Sequence, residues 1–101
     1  MPAYVVISRF KIANDTAREV RDAFLSRPHL VDTAPGFQGM EVLTPTNDPD
    51  EFWLLTRWAD EESYRSWHHG HTYRESHKSM PPGLKLDSAR TLIMTFRSFA
   101  S

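Results

Sequence analysis

Apolar and polar positions alternate along several stretches of this chain and recur at helical spacing along others. Residues 3–12, AYVVISRFKI, put Tyr4, Val6, Ser8, Phe10 and Ile12 on one side and Val5, Ile7, Arg9 and Lys11 on the other. That two-residue period is the mark of a half-buried strand, and the first set is the expected inward face. Ser8 is then a hydroxyl in the middle of an apolar row. Thr16 and Glu19 have the spacing of a capping box, so a helix is expected there with Val20, Ala23 and Phe24 on its inner stripe. Pro28 ends or bends it before a short continuation through Leu30 and Val31. Pro35-Gly36 makes a turn into a strand over Phe37 to Leu43, with Phe37, Gly39, Glu41 and Leu43 on one face and Gln38, Met40 and Val42 on the other.

The turn formers Pro45 to Asp50 connect this strand to the next, Glu51 to Trp58. Asp60 can cap a second helix carrying Tyr64 and Trp67; Gly70 interrupts that pattern and Thr72 to Lys78 can resume it. Met80-Pro81-Pro82-Gly83 stops the helix, and a last strand from Arg90 to Phe99 sets Leu92, Met94 and Phe96 against Ile93, Thr95 and Arg97. The order β-α-β-β-α-β is that of an α+β, ferredoxin-like domain, four antiparallel strands with two helices on one face. The other face of the sheet is left bare. An apolar face of that size needs a cover, and a second copy packed sheet to sheet by two-fold symmetry supplies one, so a homodimer is expected.

With 101 residues, 40% of them hydrophobic, the chain suffices for one core, and a single domain over 1–101 is expected. Its formal net charge of -1 provides no footprint for a phosphate backbone or an anionic lipid surface, so neither nucleic acid nor membrane is an expected partner. The absence of cysteine excludes disulfides, thiolate metal sites and cysteine nucleophiles. No apolar run reads as a signal peptide or bilayer span, and a cytoplasmic location is expected. Three Trp, three Tyr and six Phe are a large aromatic supply for one small domain; they fill its core, seal an interface or line a pocket.

Three stretches carry a family pattern: Ala34-Pro35-Gly36-Phe37-Gln38-Gly39-Met40, Leu54-Leu55-Thr56-Arg57-Trp58, and Glu61 to Trp67 leading to Glu75-Ser76-His77-Lys78. Together they resemble the antibiotic biosynthesis monooxygenase (ABM) superfamily, and within it the bacterial haem-degrading monooxygenases. The resemblance implies a dimeric α+β barrel with one pocket per subunit between helices and sheet. It also implies that His77 ligates haem iron, that Trp67 presses on the porphyrin, and that Ser8 stands where that branch has an asparagine near the iron-bound oxygen. Ser8 departs from the pattern, offering one hydroxyl in place of an amide.

Each assignment has a plain structural alternative: a surface imidazole for His77, a core residue for Trp67, a satisfied strand hydroxyl for Ser8. Trp58, closing a strand just before a helix cap, fits the core better than Trp67. His68, His69 and His71 cluster, but Gly70 breaks their helical spacing and no carboxylate or thiol completes a metal set; they can frame a pocket mouth. Arg74 and Lys78 can hold the carboxylates of a bound porphyrin. The leading expectation is a haem-opening monooxygenase that releases iron and draws electrons from an external donor, since no G-x-G-x-x-G dinucleotide motif is present. A cofactor-independent monooxygenase of quinols or polyphenols, with a pocket histidine as base, is the second. A non-enzymatic dimer that holds a small aromatic ligand is the third.

Overall fold

The computed structural model describes residues 3–27, 29–70 and 85–100. Its strands are β1 (Tyr4–Lys11), β2 (Phe37–Leu43), β3 (Glu51–Trp58) and β4 (Leu92–Arg97), and its α-helices are α1 (Ala17–Leu25) and α2 (Glu61–His68). They follow one another as β-α-β-β-α-β and form one antiparallel sheet in the order β2-β3-β1-β4, the ferredoxin-like arrangement expected. The continuation after α1 is a 3-10 turn, Leu30–Thr33, entered through His29 in a left-handed conformation at φ 57°.

Register explains which residues meet. Val6 lies opposite Thr56, Ser8 opposite Leu54 and Phe10 opposite Phe52, so Tyr4, Val6, Ser8 and Phe10 share the helix-covered face with Phe52, Leu54, Thr56 and Trp58. Val5, Ile7, Arg9, Trp53, Leu55, Leu92, Met94 and Phe96 share the opposite face. In β2 the expected alternation fails at its start. A bulge between Phe37 and Gly39 adds a residue, so Phe37 joins Met40 and Val42 on the helix side instead of Glu41 and Leu43. Gly39, at φ 157°, takes the backbone conformation the bulge demands.

Two further expectations are corrected. Thr16 precedes α1, but its hydroxyl is turned to Asn14, donating to Oδ1 at 2.7 Å, and accepts no cap bond from the first turn of the helix. The last strand is shorter than Arg90 to Phe99: Arg90 closes a 3-10 turn, Ser88–Arg90, and the ladder ends at Arg97. Asp60, by contrast, caps α2 as expected, its Oδ1 accepting from the Ser63 amide at 2.8 Å.

The core falls into two clusters at opposite ends of β1. One gathers Val6, Val31 and Trp58 with Tyr4, Phe37, Met40, Tyr64 and Trp67, beneath α2. The other gathers Ile12, Val20 and Phe52 with Phe10, Phe24 and Val42, beneath α1. Ser8, between Val6 and Phe10, stands at the gap.

Candidate functional site

Trp58 is the anchor of the α2 end. Its side chain is fully buried, and its indole N–H donates to Thr56 Oγ1 at 2.9 Å, which removes the cost of burying that polar edge. Phe37 meets its edge at 5.4 Å between centroids, Tyr64 meets it at 5.8 Å, and Trp67 stacks on it at 6.5 Å with 30° between planes. Tyr64 also lies 6.0 Å from Tyr4 on β1 and 5.5 Å from His68 on its own helix. The spacing of 64, 67 and 68 places all three on the side of α2 that leans on this column. Trp67 is only half buried.

Beside Trp67 opens a cavity of about 410 Å³, walled by Thr33, Ala34, Pro35, Asp60, Glu62, Ser63, Ser66 and Gly70. A volume of this order lies in the range of about 300–1,000 Å³ typical of small-molecule pockets. Ser63, on its wall, is closely approached from behind by the turn: Gly36, at φ 83°, leaves no room for a side chain against it. The Gly36 carbonyl accepts from Ala59 at 2.7 Å, tying the turn to the start of α2. The polar rim is acidic. The Ser63 amide hydrogen-bonded to Asp60 holds its carboxyl below the usual range, so it stays ionised beside Glu62.

Ser8 does not line this cavity. It is flanked in the sheet by Leu54 and Ile93, on the helix side, where Ile93 remains 52% exposed despite facing the same way as the core. Arg9, next to Ser8 on β1, points to the opposite face as alternation requires, with its guanidinium over the Trp53 ring at 5.7 Å. Trp67 packs against the Val6 and Trp58 cluster, and Ser8 lies apart from the cavity that Trp67 lines. His77, Arg74, His71 and Lys78 lie outside the described residues. His68 and His69 are neighbours, with rings 5.3 Å apart and edge to face. Among the described residues no group of three His, Asp or Glu side chains is placed to hold a metal ion.

Sequence reasoning found Trp67 and Trp58 but missed the hydroxyls beside them. Ser63, Ser66 and Gly70 recur at helical spacing around Trp67, which was the signal available. Thr33 and Pro35 reach the same place only through the tertiary fold.

A family model described as antibiotic biosynthesis monooxygenase matches residues 3–79. A haem oxygenase (mycobilin-producing) of Mycobacterium tuberculosis is 27% identical over 66 residues, a match covering 65% of this chain and 63% of that protein. Among solved structures, a protein from Bordetella bronchiseptica assigned to the antibiotic biosynthesis monooxygenases superposes with a TM-score of 0.81 at 10% identity, covering 99% of this chain and all of its own. SnoaB, a cofactor-independent oxygenase from Streptomyces nogalater, superposes with a TM-score of 0.69 at 13% identity, covering 100% of this chain and 95% of its own. At these identities the structural likenesses establish the fold alone.

Proposed function

We propose, from the premise that this chain belongs to the antibiotic biosynthesis monooxygenase family, that it binds haem and opens the porphyrin ring with molecular oxygen, releasing iron. One observation carries the reading: Trp67 rests on the rigid, fully buried Trp58 and keeps its outer side at a cavity. A large ring backed in this way can press on a flat macrocycle without yielding. The haem oxygenase relative supports the same choice.

Bound haem supplies the oxygen chemistry, with electrons from an external donor. The chain contributes position and electrostatics. His77 would hold the haem iron through a ring nitrogen. Trp67 bears on the macrocycle. The acidic rim of Asp60 and Glu62 disfavours carboxylates there, so the propionates turn toward cations elsewhere, Arg74 being the candidate. Two copies pair through the open sheet face. This reading predicts a Soret band on adding haemin that is lost in His77→Ala, and a spectrum that decays under oxygen and reductant. Absence of any spectral change at micromolar haemin overturns it.

One observation favours a second reading, the cofactor-independent oxygenase that SnoaB represents. Ser8 has a single hydroxyl, flanked by Leu54 and the half-exposed Ile93. That surface suits a hydroxylated aromatic, with a pocket histidine removing the proton that lets the substrate react with oxygen directly. Oxygen uptake with a quinol in the absence of haemin selects it.

A further inference from the structure

The open face of the sheet carries five ionised side chains: Arg9, Lys11, Glu41, Glu51 and Arg57. Lys11 pairs with Asp48. Glu51 is buried, accepts from the Trp53 indole N–H at 2.8 Å and faces Arg90 at 3.6 Å. Arg9 lies over the same indole, yet its Nε is fully buried with no hydrogen-bond acceptor. The carboxylate on the adjoining strand is therefore already committed, and the nearest donor to it is not Arg9. Glu41 is the other acid on this face. It is exposed, sits on edge strand β2, and has no ion pair among the described residues. Within one chain it does not reach Arg9: Glu41 lies opposite Leu55, and Leu55 opposite Ile7, so β3 separates the two.

We propose that Glu41 of a second copy accepts a charge-assisted hydrogen bond from Arg9, so that two such pairs, related by a two-fold axis, set the register of sheet-to-sheet packing. This inference rests on the pairing of two copies through the open face. Covering Arg9 with apolar surface alone would leave a buried cation without an anion, a state strongly disfavoured. Glu41 removes that penalty and excludes registers that leave Arg9 bare. A two-fold interface then repeats the contact on each side.

Sedimentation equilibrium on the full chain, at low and high salt, tests this. Wild type is a dimer; Arg9→Glu and Glu41→Arg each weaken dimerisation at least about tenfold, and the double exchange R9E/E41R restores most of the affinity. Glu41→Arg, at an exposed edge position, keeps the test valid if Arg9→Glu disturbs folding. Unchanged affinity in both single variants overturns the proposal, as does a double variant no better than the weaker single. Rescue of E41R by Arg57→Glu instead of R9E also overturns it, assigning the contact to Arg57. A wild-type monomer at all concentrations refutes the sheet pairing itself. A dimer dispersed by Phe96→Glu but indifferent to R9E retains the pairing and refutes only the Arg9–Glu41 contact.

Discussion

Individual side chains here differ less in chemistry than in what stands behind them. Trp58 and Trp67 are both indoles of one aromatic column, but Trp58 is fully buried with its N–H satisfied while Trp67 leans on it from a cavity wall. Trp58→Ala is therefore expected to lower unfolding free energy by about 3–5 kcal/mol in denaturant titrations. Trp67→Phe leaves the midpoint nearly unchanged and alters ligand spectra instead. Gly36 shows the same dependence on position. At φ 83°, against Ser63, it admits no Cβ without displacing α2. Gly36→Ala should cost roughly 1–3 kcal/mol, read from thermal melts, and should distort the cavity that Ser63 lines.

At the level of elements, capping decides how α2 responds to acid. Asp60 is stabilised in its ionised form by the Ser63 amide, and Asp48 by the hydrogen bond from Lys11, so both carboxyls are held below their usual range. A lowered folded-state value means the stabilisation is complete above the ordinary carboxylate range and is lost as pH falls through the folded value. Stability should consequently drop as pH falls through the acid range. Asp60→Ala, measured by urea titration at pH 7 and pH 3, should lower the midpoint at neutral pH and lower it less in acid. The elements themselves were largely legible, because β1 keeps a two-residue period, the turn formers of Pro45 to Asp50 separate β2 from β3, and Asp60 stands directly before a helical pattern. The bulge at Gly39 was not legible: one extra residue reverses the faces before it, and only pairing with Arg57 and Trp58 reveals where it lies. Thr16 misled because a capping box is a local pattern, while Asn14 competes for the same hydroxyl. The cavity beside Trp67 was half legible, since Ser63, Ser66 and Gly70 share a helix with it but Thr33 and Pro35 arrive from another part of the chain.

The whole molecule has a covered face and a bare one. Leu43, Leu92 and Phe96 are each more than 40% exposed on the bare side, and Phe96→Glu is expected to convert a dimer to a monomer in sedimentation without unfolding it. Within one subunit, the two apolar clusters meet separate helices and are joined by the hydrogen-bonded ladder of the sheet. Such a division makes the subunit a pair of half-cores with a seam at Ser8. The halves can open independently, so amide protons of α1 and α2 should exchange as two groups with different opening free energies. A ligand that spans the seam would act as a keystone: by binding both halves at once it would slow exchange in the two helices together, and merge two cooperative units into one.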